Sequence, residues 1–119
     1  MLAHWIWLAT RPGIGVRGAL TLLRAFPNIE ALFYASREDY ALTVGLEFKH
    51  LEALCDKSLA EAERILGECE RLGLRVLTLQ DAEYPERLRQ IPAPPAVLYL
   101  RGRTFAFDEE AAIAVVGAR

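Results

Sequence analysis

The chain begins with a run of large apolar residues, Trp5-Ile6-Trp7-Leu8, and a second apolar set, Ala19, Leu20, Leu22 and Leu23, recurs at helical spacing. Between them lies Thr10-Arg11-Pro12-Gly13-Ile14-Gly15. One helix must end here and another begin, because Pro12 cannot continue a helix interior and Gly13 and Gly15 reach positive φ values that a side chain would resist. The pattern predicts helices from about His4 to Thr10 and from Val16 to Arg24, with Gly18 as a small residue on a crowded face. Pro27 breaks the pattern after Phe26. Asn28 is an N-cap for a short helix carrying Ile29, Leu32 and Phe33, and Ser36 with Asp39 forms a capping box for the next. Thr43-Val44-Gly45-Leu46 is a degenerate echo of the first glycine corner, after which Phe48, Leu51 and Leu54 return to helical spacing. Together these elements predict a compact helical module over residues 1–57 with one small core.

Ser58 and Glu61 form a second capping box, opening a helix from Leu59 to Leu72 with Ala62, Ile65, Leu66 and Cys69 inward and Gly73 as its C′ residue. Its mixed charges read as a solvated face. Past Gly73 the period changes from helical to extended. Leu74 to Leu79 reads as a strand stopped at Gln80-Asp81, Tyr84-Pro85 as packing and turn residues, and Pro92-Ala93-Pro94-Pro95 as an extended connector. Val97 to Leu100 is a second strand. Ala111 to Val116 is a third, and its continuous apolar run fits a strand buried on both faces of a parallel sheet covered by helices. A central strand followed by glycine, here Gly117-Ala118-Arg119, is how a Rossmann-like βα turn begins. The fold class expected is therefore α+β: a helical module, then, over residues 58–119, the first strands of an extended Rossmann-like domain. The chain reads as the front part of a longer protein.

Apolar residues make up 53% and charged residues 25% of the chain, which suits a folded core and excludes disorder. A net charge of −2 excludes a uniformly basic surface, so any DNA contact must be local and salt-sensitive. Cys55 and Cys69 lie in predicted helices without a C-x-x-C spacing, and are read as buried or half-buried reduced thiols with no metal. His4 and His50 have no partners at ligand spacing and read as surface or helix-face residues. No apolar run approaches a membrane span and no basic segment precedes a signal-like core, so a soluble cytoplasmic protein is expected. No Ser/His/Asp, Cys/His or paired-carboxylate constellation can be assembled. Asp108, Glu109 and Glu110 are adjacent acids in a solvated loop, and neither catalysis nor a cofactor is expected.

The Gly-Ile-Gly corner resembles the helix-hairpin-helix element, in which backbone N–H groups at the turn and the next helix N-terminus face a nucleic-acid phosphate. Gly13, Ile14, Gly15 and Arg17 are the candidate contacts. The same tetrapeptide is also an ordinary helix stop and restart, and sterile-alpha-motif-like modules that dock proteins share this helical outline. Arg11, Arg17 and Arg24 around the hairpin favour duplex DNA; the acidic balance of the chain favours protein contacts. Trp5 and Trp7 read as buried hydrophobic mass rather than base-stacking platforms.

Taken in order, the helical module, Leu-Thr-Leu-x-Asp-x-x-Tyr-Pro-x-x-Leu from Leu77 to Leu88, Pro-Pro-x-x-Leu-Tyr-x-x-Gly from Pro94 to Gly102 and Ala-Val-Val-Gly-Ala-Arg from Ala114 to Arg119 resemble the DNA-processing protein A family, also called Smf. The resemblance covers essentially the whole chain and is most specific from about Leu77 to Arg119. It implies a recombination mediator that binds single-stranded DNA and helps load a RecA-class recombinase, notably on incoming DNA in natural transformation, without catalytic chemistry. The family's phosphate-pocket motif carries over to Gly117, Ala118 and Arg119, with Gly117 allowing close backbone approach and Arg119 adding a charge-assisted contact. Two other readings remain open: the beginning of a Rossmann-like nucleotide- or sugar-phosphate-processing enzyme, and a helical module that only docks proteins. An unfinished sheet also predicts self-association through its unpaired edge.

Overall fold

A computed structural model describes residues 2–43 and 46–101 and the backbone of residues 114–115. The element order is α1 (Leu2–Ala9), α2 (Gly15–Ala25), α3 (Ile29–Phe33), α4 (Arg37–Ala41), α5 (Phe48–Cys55), α6 (Ala60–Leu72), β1 (Arg75–Thr78), α7 (Glu86–Arg89), β2 (Val97–Arg101) and β3 (Ala114–Val115). The chain is thus α+β, as its pattern predicts.

Helix α1 has no solvent face. Every residue from Ala3 to Leu8 is buried, and the helix packs on α2, α3, α6 and β2. A helix that is apolar all round must sit in a core. One cluster of buried side chains runs from Trp5 and Trp7 through Leu22, Leu32 and Leu54 to Ala62, Cys69, Val97 and Tyr99. On β2 the alternation is complete: Val97 and Tyr99 face this core, whereas Leu98 and Leu100 join Leu77 and Tyr84 in a second cluster on the opposite side.

Local chemistry sets the boundaries. The Asn28 side chain accepts from Ala31 N at 2.7 Å, and Ser36 and Asp39 form the expected reciprocal capping box. Gly73 takes φ 72°, ending α6 with Leu74 N donating to Cys69 O at 2.8 Å. The second capping box does not form. Ser58 Oγ accepts from Ala60 N, while Glu61 is held by Arg64 one turn on, whose Nη2 lies 2.6 Å from it. A strong cation three residues away outcompetes the backbone for that carboxylate.

The described strands form a sheet in the order β1-β2-β3 in which both pairings are antiparallel, Val76 opposite Tyr99 and Leu100 opposite Val115. This corrects the parallel arrangement expected from the apolar run at Ala111 to Val116. A parallel neighbour needs a covering crossover, and between β1 and β2 the chain supplies only the four-residue α7 and the proline connector. Tyr84 closes that loop, its hydroxyl donating to Pro95 O at 2.7 Å. Asp81 closes the end of β1: its carboxylate accepts from Thr78 N at 2.7 Å, and its own N–H donates to Thr78 O. The strand edge is therefore blunted at Thr78.

Candidate nucleic-acid interface

The turn between α1 and α2 is built as its glycines require. Gly13 and Gly15 have φ of 78° and 72°, the left-handed region where a Cβ is strained. Ile14 between them points inward at 7% exposure and is seated over Gly18, where a Cβ would lie 2.9 Å from Ile14 Cγ2. The small residue on the crowded face thus anchors the hairpin. No side chain caps α2 and its first turn carries no acid, so the amides at exposed Gly15, Val16 and Arg17 begin a helix whose positive end is unneutralised.

The arginines around this turn divide into two kinds. Arg11 has a side chain only 8% exposed; its guanidinium donates to Trp7 O at 2.9 Å and Ala53 O at 3.2 Å, stacks on the Trp7 ring and lies 3.7 Å from Asp56. Burial lowers its pKa, with Asp56 opposing the shift. It ties α1 to the end of α5 and is withdrawn from solvent, which corrects the expectation that it faces DNA. Arg17 and Arg24 are exposed and have no ion pair among the described residues. By contrast Arg64, Arg71, Arg75 and Arg89 each reach a carboxylate, and Arg37 stacks on Phe48. One sequence signal for this surface escapes motif reading: the first acid in the chain is Glu30, so the whole hairpin lies in an acid-free stretch.

Trp5 and Trp7 are buried, at 4% and 0% exposure, and the Trp7 indole N–H donates to Asp56 O at 2.7 Å. They are core residues, as read from the sequence. Lys57 sits among the rings of Trp7, Phe33 and Tyr40 while its ammonium donates to Phe33 O, Ala35 O and the Tyr40 hydroxyl. Burial lowers the Lys57 pKa and raises that of Tyr40, which keeps the phenol protonated.

Two expectations fail here. His4 is buried rather than on a surface face, stacked 4.4 Å from the Phe33 ring, and neither of its ring nitrogens has a partner. Burial lowers its pKa, with Glu30 opposing. Because α1 is surrounded on all sides, no position in it is left for a surface residue. Cys55 is exposed at the end of α5, whereas Cys69 is buried as expected. His50 instead accepts from Glu47 N through Nδ1 at 2.9 Å, starting α5.

A groove of about 190 Å³ opens where the hairpin meets the sheet, with Ala9, Gly15, Val16 and Ala19 on one wall and Pro95 and Tyr99 on the other. Among the described residues no group of His, Cys, Asp or Glu can hold a metal ion, and no helix is long and apolar enough to cross a membrane. Gly117, Ala118 and Arg119 lie outside the described residues. The described part of their strand, Ala114–Val115, pairs with Leu100 and Arg101.

No curated protein and no solved structure matches the chain. Residues 75–119, which begin at β1 and take in all three sequence motifs, match the family described as DNA recombination-mediator protein A. Over that segment the chain is similar to the DNA recombination-mediator protein A family, the DNA-processing family its motifs resemble.

Proposed function

We propose that the chain is the N-terminal part of a single-stranded-DNA-binding recombination mediator that helps load a RecA-class recombinase on incoming DNA in natural transformation. The observation that carries this reading is the family match over residues 75–119, which coincides with the motif segments from Leu77 to Arg119. The DNA site is read at Gly117, Ala118 and Arg119: backbone approach at a residue without Cβ, and an arginine suited to bidentate phosphate contact. The chain acts by binding and positioning, and no residue in it is assigned a catalytic role. Residues 1–57 are read as a sterile-alpha-motif-like or helix-hairpin-helix module and residues 58–119 as the start of the Rossmann-like DNA-binding domain.

A second contact is supported at the hairpin. Gly13, Ile14, Gly15 and Arg17 present an uncapped helix start in an acid-free stretch, with Arg24 two turns further along α2. Arg17 and Arg24 are separated by roughly 10 Å along the helix, comparable to three phosphate steps along one strand of duplex DNA.

Fluorescence anisotropy of the chain with single-stranded and duplex oligonucleotides over a salt series tests both. Weakening confined to Arg119→Ala places the contact at the strand end; weakening with a reduced salt slope in Arg17→Ala places it at the hairpin. Absence of binding at low salt sinks both readings for this chain and leaves the helical module as a protein-docking element.

A further inference from the structure

At the far end of α2 from the hairpin, a cleft of about 490 Å³ separates the last turn of that helix from α4. Thr21, Arg24, Ala25 and Phe26 line it from the α2 side, and Asp39 and Leu42 from the α4 side. Its floor is firmly held. The Phe26 ring stands edge-on to Tyr40, with 6.0 Å between centroids, and the Tyr40 hydroxyl donates to Leu32 O at 2.7 Å inside the core. Its lip is the opposite: Leu42 is 83% exposed, more than any other large apolar side chain among the described residues.

Two opposite charges face this cleft and neither is paired. Arg24 is exposed and has no ion pair among the described residues. Asp39 uses one carboxylate oxygen to accept from Ser36 N at 3.2 Å, closing the cap of α4, and no described cation reaches it. A nucleic-acid backbone would meet Arg24 but be repelled by Asp39, and it has no apolar group for Leu42 and Phe26. An acidic or a basic segment of another protein matches one of the two charges and opposes the other. A small charged molecule would leave Leu42 in water. What matches a cation, an anion and an apolar lip around one cleft is the same surface turned by 180°, because a twofold axis sets each residue of one copy against its complement in the other.

We infer that this cleft is a self-complementary contact between two copies of the chain. Arg24 of one copy meets Asp39 of the other, and the reverse pair forms across the axis, while Leu42 of each copy covers the Phe26 floor of its mate. The contact goes beyond both DNA readings. It draws Arg24 away from the hairpin site and leaves Gly13, Ile14, Gly15 and Arg17 accessible at the other end of α2. Because its charges lie at the surface, the dimer is salt-sensitive and forms without DNA.

Sedimentation equilibrium of the chain over a concentration series, at low and high salt and without DNA, tests this. The expected result is a monomer–dimer equilibrium that shifts toward monomer with salt. Arg24→Asp and Asp39→Arg each place two like-charge pairs across the axis, so each variant alone should dimerise at least about tenfold more weakly than the parent. Mixed in equal amounts they should recover the parent's dimer, because every pair in the mixed dimer is again of opposite sign. Leu42→Ser removes the apolar lip and should also weaken the dimer, with no effect of salt on the loss. Asp39 caps α4, so Asp39→Arg is checked by circular dichroism; should it fail to fold, Arg24→Asp and Leu42→Ser carry the test, since neither side chain makes a hydrogen bond or ion pair among the described residues. A monomer at every concentration overturns the inference. So does a dimer that Arg24→Asp and Leu42→Ser leave intact, which would join elsewhere, as at the free edge of the sheet. Two folded charge variants that fail to pair when mixed overturn the twofold arrangement.

Discussion

Helices α1 and α2 meet at one glycine hairpin yet serve opposite purposes. In α1 the residues from Ala3 to Leu8 are all buried, whereas in α2 only Ala19 and Leu22 are. The arginines follow the same division: Arg11 is spent on Trp7, Ala53 and Asp56, and Arg17 faces solvent unpaired among the described residues. A basic residue beside a nucleic-acid-like motif is therefore no evidence of contact by itself. What distinguishes the two is whether the protein has already satisfied the guanidinium.

That division can be broken most severely at Trp7. Trp7→Ala removes a fully buried indole, orphans Asp56 O and opens the ring cage around Lys57; a loss of about 3–5 kcal/mol is expected in urea unfolding. Arg11→Ala should cost about 2 kcal/mol, because two backbone carbonyls lose a charged donor, while DNA affinity per folded molecule stays unchanged. Unaltered stability with weakened binding would erase the distinction between the two arginines.

His4 gives a smaller effect and one of opposite sign. Its folded pKa is depressed by burial, so its contribution is fully present above the unfolded value of about 6.5 and declines as pH falls through that value toward the folded pKa. His4→Phe keeps a ring against Phe33 and removes two unpartnered nitrogens; a gain of about 1 kcal/mol is expected, with the slope of stability between about pH 6.5 and 5 reduced. Thermal melts over that range decide it. The smallest change is Arg17→Ala, within about 0.5 kcal/mol of the parent in stability, while the salt slope of DNA binding falls by about one. A destabilised Arg17→Ala would place that residue with Arg11.

Much of this architecture was readable from local rules. The breaks at Pro12 and Pro27, the caps at Asn28 and Ser36, the stop at Gly73 and the strand at Val97 each depend on residues within a few positions, and each is observed. The failures depend on distant partners. Nothing near Arg11 announces that α5 will present Ala53 O and Asp56 to it. His4 is hidden by packing on all sides of α1, which no periodicity can express, because a helix buried all round has no polar face to locate. Glu61 fails as a cap because Arg64 takes it, a competition that the capping pattern omits. For the candidate site, the hairpin was legible in Gly13, Ile14 and Gly15; the groove beside it was not, because its second wall comes from Pro95 and Tyr99, some eighty residues away.

The all-round burial of α1 also has a consequence for biosynthesis. Within this chain the helix is translated well before the strand that covers one of its sides, Val97–Arg101, which follows about ninety residues later. At roughly 5–20 residues per second this leaves Trp5, Ile6, Trp7 and Leu8 without their final neighbours for about 5–20 s. During that interval the apolar segment lacks the cover of β2 and offers the kind of exposed hydrophobic surface that chaperones hold.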